Sequence, residues 1–594
     1  MICTDKTGTL TKNEMTVTGL WFDGDTYTVT GKGYEPTGDI VDGSGQKVSQ
    51  EVIDRLEIML DAGTMASNAE IHPPDQDHKG WYPIGDPTEA AIITLSTKAG
   101  TRSPREDEEN PEIKEFPFDS ERKRMSSIRR FGERYQLAMK GASSSVLSIS
   151  THIYRKGEAV PITEEDRKEI EGLSEEYSAR ALRVLAIAFR PLEEDGSDYT
   201  METAEKDVVF LGLVFMMDPP KDGVKEAIEA CHRASIRIIV MTGDHSITAK
   251  AVGKLVGLTP VGEPPVYTGA QLEEMDDSRL REILLQGGSM VFSRVDPSHK
   301  LRIVTILEDD GEVVAVTGDG VNDAPALKKA NIGVAMGVTG TDVSKEAAEL
   351  ILLDDSFTSL VYAVKEGRTI YGNLKKTVLA SLTTNMAELM VVILGLAAVA
   401  MGDWAIPILA IQILAIDLLA EVMPLTFLTY DPPSESVMED LPRNMEDHIM
   451  NRRSSLEVLW LGALIGGLSF ANFAFTGIRE GVTFHSGVSL ENPLYMRAMT
   501  MAYLTIAFCQ YVNILSRRFT YTSIFNRNFF TNRILLWSIL GSIAITLGVI
   551  YGPAGSFLSF HGPTLLDWVW VAAGASVYLV AFELLKAARR AGRK

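Results

Sequence analysis

Asp5 stands at the end of the apolar run Met1-Ile2-Cys3-Thr4 and begins the turn Lys6-Thr7-Gly8-Thr9-Leu10-Thr11. A short apolar run that stops at Gly and Thr reads as a buried strand, so this aspartate falls where the chain leaves its sheet. Beside a turn of small residues with free amides, a carboxylate at that edge is placed to meet a phosphoryl group and attack it as a nucleophile. Three later junctions repeat the pattern. Met216-Met217 runs into Asp218-Pro219-Pro220-Lys221, Ile238-Ile239-Val240-Met241 into Thr242-Gly243-Asp244, and Val313-Val314-Ala315-Val316 into Thr317-Gly318-Asp319-Gly320-Val321-Asn322-Asp323. Helical patterns such as Ala326-Leu327-Lys328-Lys329-Ala330 follow, which predicts a doubly wound parallel sheet with its ligand at the strand C-termini.

That edge would gather Asp5, Asp244, Asp319 and Asp323, and so many carboxylates around one point require a cation among them. Mg²⁺ suits them, because it takes an octahedral shell of oxygens from one or two carboxylates plus phosphate and water. We expect Asp5, Asp319 and the Thr7 carbonyl to ligate it, with Asn322 and Asp323 holding the phosphoryl oxygens.

Asp5-Lys6-Thr7-Gly8-Thr9-Leu10-Thr11 closely resembles the phosphorylation signature of the P-type ion-pumping ATPases, relatives of the haloacid dehalogenase phosphatases. The resemblance implies an α/β haloacid-dehalogenase-like sheet with an inserted α+β nucleotide-binding domain, followed by an all-α membrane domain. It gives catalytic roles to Asp5, Thr242, Gly243, Asp244, Asn322 and Asp323. Lys300, in Arg294-Val295-Asp296-Pro297-Ser298-His299-Lys300, is similar to the lysine that stabilises the transferred phosphoryl group in the family. The related phosphatases carry an acid two residues after the nucleophile, where this chain has Thr7. Without that general base an acyl phosphate on Asp5 persists, as a transport cycle requires.

Between these parts, residues from about 15 to 205 read as an insertion, after which the interrupted sheet is expected to resume at Val208-Val209-Phe210-Leu211. Gly85-Asp86-Pro87-Thr88-Glu89, Phe118-Asp119-Ser120 through Ser126, Lys140-Gly141-Ala142 and Leu182-Arg183-Val184 resemble the nucleotide-binding domain of the family. Phe118 would stack on adenine, Lys123, Lys140 and Arg183 would meet the phosphates of ATP, and Glu89 a polar edge of base or ribose. Thr7 and Arg294 complete the expected ATP contacts. Two positions depart from the family pattern, Ser120 and the pair Ser143-Ser144. The expected domains are 1–18 and 207–357 for phosphorylation, 19–206 for nucleotide and 358–594 for stalk and membrane.

Across its 594 residues, 45% hydrophobic, the chain is uneven: short apolar runs alternate with charge up to about residue 375, and long apolar segments dominate afterwards. A formal net charge of -22 argues against nucleic acid, whose phosphates need clustered Lys and Arg. The three cysteines have no metal-ligand spacing and predict no disulfide framework. From Phe357 to Met401 one helical pattern runs without proline, a rod of roughly 65 Å at ~1.5 Å per residue, expected to link the phosphorylation sheet to the lipid bilayer. Six spans are predicted, at about 378–401, 404–429, 456–478, 496–515, 533–551 and 564–587. Basic residues Arg443, Arg452, Arg453, Arg517, Arg518, Arg527, Arg533, Lys586, Arg589, Arg590, Arg593 and Lys594 lie in alternate loops and at the end. They put residues 1 to about 377 in the cytoplasm of a cell, with the plasma membrane as the expected location.

Inside the spans, Asn385 and Glu388 recur at i, i+3 and Asp417 and Glu421 at i, i+4, with Pro424 freeing a carbonyl nearby. Intramembrane acids cost ~2.5–3.5 kcal/mol each on insertion scales, and oxygen-rich cation sites are their natural use. Gln510 and Asn513 would complete the shell. Asn385-Met386-Ala387-Glu388 and Asp417-Leu418-Leu419-Ala420-Glu421 fall on the ion-binding stretches of type II pumps, the calcium and sodium/potassium group, and leave those ions unseparated. The family also has an actuator domain and four earlier spans. The expectation is therefore a C-terminal portion, complemented by a separate N-terminal portion or inactive in transport alone; a membrane-anchored phosphatase is the alternative.

Overall fold

The computed structural model describes every residue except 77, 79, 102–110, 120, 132–133, 181, 194–197, 435, 444–447 and 592–594, so Ser120, Arg593 and Lys594 lie outside the described residues. Met1–Val361 and Tyr362–Lys594 form two compact units.

In the first unit, seven parallel strands lie in the order Val266–Thr268, Met290–Ser293, Ile238–Thr242, Ile2–Thr4, Ala315–Gly318, Ile332–Met336 and Leu350–Leu352. Their sequences are β-branched and apolar because the sheet is buried. Cys3, Ile239, Met241, Phe292 and Val316 pack with Ile303, Val304 and Leu307 of the helix Pro297–Asp309. Ile2 pairs with Ile238 on one side and Ala315 on the other. Strands drawn from residues 238–293 thus lie to one side of Ile2–Thr4 and those from 315–352 to the other, which makes Asp5 the first residue beyond the strand where the winding reverses. A doubly wound sheet binds its ligand at that crevice.

The parallel sheet does not resume at Val208. Val208–Met217 is instead an inner strand of a ten-stranded, largely antiparallel sheet, paired with Thr16–Phe22 and with Arg183–Leu192. Its alternate residues serve two cores. Val214 and Met216 pack with Leu20, Phe22 and Ile187 under the helices Gln50–Met65 and Pro87–Ala99, while Leu213 and Phe215 pack with Trp21, Leu137 and Met139. A strand covered on both faces reads as one continuous apolar run, as a parallel strand does.

The second unit holds, among the described residues, six helices long and apolar enough to cross a membrane: Phe357–Gly402, Ala410–Leu428, Arg452–Arg479, Pro493–Arg517, Arg533–Tyr551 and Leu565–Ala591. Each overlaps one of the six predicted spans; the first helix begins at Phe357, well before the predicted span, and the second begins at Ala410 rather than 404. Pro493–Arg517 is central, with 83% of its apolar stretch buried against 22–39% for the others. Gly466 allows close helix approach, since a Cβ there would lie 2.7 Å from that of Met390.

Candidate active site and membrane carboxylates

Lys300 organises the sheet edge. Its Nζ donates to Asp5 Oδ2 at 2.6 Å and to Asp323 Oδ1 at 2.8 Å, so one ammonium holds carboxylates from two loops. The helix Pro297–Asp309 aims it there, starting from a proline and the Asp296 cap, which accepts from the His299 N–H at 3.0 Å. Asp323 Oδ2 accepts from the N–H groups of Asp319 and Gly320 at 3.3 and 3.2 Å, which fixes the second loop. Asp5 accepts from the Lys6 N–H at 2.6 Å, and Thr317 Oγ1 accepts the Asp5 N–H at 3.3 Å.

The electrostatics are those of a site short of positive charge. Burial pushes the Asp5 carboxyl above its ordinary pKa; Lys300 opposes the rise and Asp323 adds to it. Asp319 is likewise raised, by burial and by the charges of Asp323 and Asp5. The Lys300 ammonium is raised because the two carboxylates outweigh its own desolvation.

Among the described residues Asp319 forms no ion pair. The loop after Asp5 runs beside it, since a Cβ at Gly8 would be in ordinary contact with Asp319 Oδ2 at 3.6 Å, and Gly8 there takes φ +73°, a conformation L side chains rarely adopt. Two hard carboxylates in that setting fit Mg²⁺. Raised carboxyl pKa values contribute stability at low pH that is lost as pH rises through them. Mg²⁺ reverses this loss, so its stabilisation of the fold is expected to be larger at about pH 7.5 than at about pH 5. Differential scanning calorimetry with and without Mg²⁺ checks this, and Asp319→Asn should remove most of the difference.

Thr242 is buried and its Oγ1 accepts the Asp244 N–H at 3.2 Å. Asp244 pairs with Lys6 Nζ at 2.5 Å. Gly243 and Asn322 are exposed at the same edge. Arg294 donates its N–H to the Asp244 carbonyl at 3.0 Å, while its side chain is exposed.

A cleft of about 660 Å³ opens from this edge, lined by Lys6, Thr7, Asp218 and Asp244 on one side and by Asp86, Thr88 and Arg183 of the inserted sheet domain on the other. Arg183 donates to Thr88 Oγ1 at 2.9 Å. Phe118 is 63% exposed at the end of its strand, and Lys123 is exposed beside it, so both are open to a ligand. Arg122 and Arg124, which flank Lys123, are bound instead to the buried Glu205.

Lys140 departs from expectation. It is buried and donates to Glu89 Oε1 at 2.9 Å, to Ser67 Oγ at 2.8 Å and to the Ala66 carbonyl. Burial lowers its pKa and Glu89 counters the shift. Glu89 also accepts the Asn68 N–H at 2.7 Å. Lys140 thus spends its three donors inside the protein, which does not fit a phosphate contact, while Glu89 accepts one bond at each oxygen and keeps acceptor capacity for a ligand.

In the second unit, Glu388 and Glu421 are buried, and Asp417 is half-buried within electrostatic reach of Glu388. Among the described residues Glu388 Oε1 and both Glu421 oxygens accept no hydrogen bond, although the hydroxyls of Ser381 and Thr384 lie near Glu421. The stretch Ile416–Glu421 is π-helical, directly before Val422–Leu428 with its Pro424, which has no N–H for the Ala420 carbonyl. Asn385 is exposed on the surface of this unit, one turn before the buried Glu388. Asn513 is spent: its Oδ1 accepts from Arg517 Nε at 2.9 Å and from the Tyr578 hydroxyl at 3.0 Å, and its amide donates to Gln510 Oε1 at 2.9 Å. Gln510 keeps a buried Nε2 that donates to nothing.

Three family models match this sequence: P-type ATPase, cytoplasmic domain N, over residues 55–223; haloacid dehalogenase-like hydrolase over 147–331; and cation transporting ATPase, C-terminus, over 405–588. A calcium-transporting ATPase of Bacillus subtilis is 37% identical over 591 residues, 98% of this chain and 64% of that protein. The chain belongs to the P-type cation-transporting ATPases. The calcium-transporting ATPase type 2C member 1 of Bos taurus is 34% identical over 100% of this chain and 59% of that protein, and cation-transporting ATPase pma1 of Synechocystis 32% over 96% and 61%. This P-type ATPase chain thus spans about three-fifths of the length of these relatives.

Three residues of the ATPase site escape a sequence reading. Lys6 follows Asp5, yet its pairing with Asp244 needs the fold. Lys221 donates to the Gly8 carbonyl at 2.5 Å and to that of Asp355 at 2.7 Å, which ties down the loop after Asp5. Asp218 accepts from Thr11 Oγ1 at 2.5 Å and from the Glu14 N–H at 3.3 Å. The Asp218-Pro219-Pro220-Lys221 run was the available signal for the last two.

Proposed function

We propose that this protein couples ATP cleavage to cation transport across a membrane through an aspartyl phosphate on Asp5, with calcium as the cation. A carboxylate oxygen of Asp5 attacks the γ-phosphorus, a P–O bond forms, and the bond to the leaving ADP oxygen breaks. Lys300 carries charge shared between nucleophile and phosphoryl oxygens, and Thr242 and Asp244 hold the adjoining loop. Mg²⁺ bound by Asp5, Asp319 and the Thr7 carbonyl would neutralise phosphoryl charge. Arg183, at the cleft, and the exposed Lys123 would meet the phosphates, and the exposed Phe118 would stack on adenine. Thr7, in place of an acid, leaves no base beside the acyl phosphate.

The observation that carries the transport reading is the pair of buried carboxylates, Glu388 and Glu421, inside helices apolar enough to span a bilayer, where Glu388 Oε1 and both Glu421 oxygens accept no hydrogen bond among the described residues. Such groups need a cation, and Ca²⁺ takes six to eight oxygens in flexible geometry. The names of the relatives support calcium. Basic residues Arg452, Arg453, Arg527, Arg533, Arg589 and Arg590 support a cytoplasmic side for their loops and for residues 1 to about 377, with the plasma membrane as the location. Incorporation of phosphate from γ-labelled ATP, measured against buffered Ca²⁺, Na⁺ and K⁺, tests the reading. Labelling that rises with Ca²⁺ is expected; labelling indifferent to every cation refutes transport.

A further inference from the structure

A groove of about 530 Å³ lies in the second unit between the start of Arg452–Arg479, the end of Leu565–Ala591 and Tyr521. Its charged lining is Arg453, Arg589 and Glu457, and its apolar lining includes Leu456, Trp460 and Leu585. The acid is already shared. Glu457 Oε1 accepts from Arg517 Nη1 at 2.9 Å, and its Oε2 accepts from Arg589. One carboxylate thus faces two guanidiniums, and Arg453 is exposed without a hydrogen bond or ion pair among the described residues. Summed over its charged lining, Arg453, Arg589 and Glu457, the groove carries one net positive charge, and the buried Arg517 behind Glu457 adds to its positive potential.

Its shape follows the same polarity. Arg453 and Arg589 mark the basic end, while Leu456 and Trp460, 59% and 50% exposed, continue one and two turns along the apolar helix. Tryptophan sits preferentially at the membrane–water interface, and basic pockets between spanning helices on the cytoplasmic side take anionic head groups. A ligand matching both ends needs a phosphate or similar anion at the arginines and hydrocarbon along Leu456, Trp460 and Leu585. We infer that this groove binds an anionic phospholipid, its head group held by Arg453 and Arg589 and its acyl chain laid along Trp460. The inference rests on the helices lying in a bilayer and is independent of the chemistry at Asp5.

The test is native mass spectrometry of the delipidated full chain in detergent, titrated with phosphatidylglycerol or with phosphatidylcholine of the same acyl chains. Tighter retention of phosphatidylglycerol is expected. Arg453→Gln should weaken phosphatidylglycerol about fivefold, the typical effect of one basic residue at an anionic surface, and leave phosphatidylcholine unchanged. Trp460→Ala should weaken both lipids. Equal retention of the two, an Arg453→Gln variant that holds phosphatidylglycerol unchanged, or full displacement of the lipid by soluble glycerol phosphate would each overturn the assignment. Membranes from which the chain is released by alkaline carbonate would contradict the bilayer placement instead.

Discussion

Replacing Lys300 by Met should slow phosphoryl transfer to Asp5 by about two to three orders of magnitude, with nucleotide affinity changed by less than about tenfold. The size follows from position: Lys300 Nζ touches Asp5 at 2.6 Å and Asp323 at 2.8 Å, where charge builds as the phosphoryl group moves. Removing one preorganised donor of this kind typically costs 10²–10³ in rate. The cleft proposed for the nucleotide is lined by Arg183 and Thr88, and Lys300 is no part of that lining. Binding and chemistry therefore separate, and rapid-quench labelling beside equilibrium nucleotide binding measures both. The variant should also melt earlier, because two buried carboxylates lose their only direct cation among the described residues; breaking a buried pair costs about 3–5 kcal/mol. Mg²⁺ should restore part of this loss.

A second large effect is expected in the membrane unit. Glu421→Gln and Glu388→Gln should each lower the apparent affinity for Ca²⁺ on the order of a hundredfold, since affinity for this ion follows the number of charged oxygens offered. Asn513→Ala should act differently. Its carbonyl oxygen is taken by Arg517 and Tyr578, so the loss should appear in folding and yield, with calcium affinity of the surviving protein changed by less than about threefold. Calcium titration of ATP-dependent labelling distinguishes the two. An Asn513→Ala variant with the larger affinity loss would mean that this amide is a ligand after all.

What could be read from the sequence was local and periodic. The Asp5 edge was legible because strand, turn and acid are adjacent in the chain, and so were Asp319 and Asp323, four residues apart on one loop. Six long apolar stretches announced six helices. Long-range pairing was not legible. Val208–Met217 has the composition of any strand buried on both faces, and its partner Thr16–Phe22 lies almost two hundred residues earlier. Lys140 carries the charge a phosphate needs, and only the fold brings Glu89 within 2.9 Å to take it up. Asn513 has the right atoms for a cation, yet its neighbours Arg517 and Tyr578 reach it first. At Asp417 the π-helical turn changes the register on which an i, i+4 reading depends. Glu388 and Glu421 were legible as acids inside apolar stretches, and among the described residues neither forms an ion pair.

The central claim is that Asp5 receives the terminal phosphoryl group of ATP. Protein incubated with γ-labelled ATP and Mg²⁺, quenched in acid and digested, should yield one labelled peptide containing Asp5, with label released by hydroxylamine and absent from Asp5→Asn. Label that persists in Asp5→Asn, or that maps to a peptide elsewhere in the chain, would contradict the account.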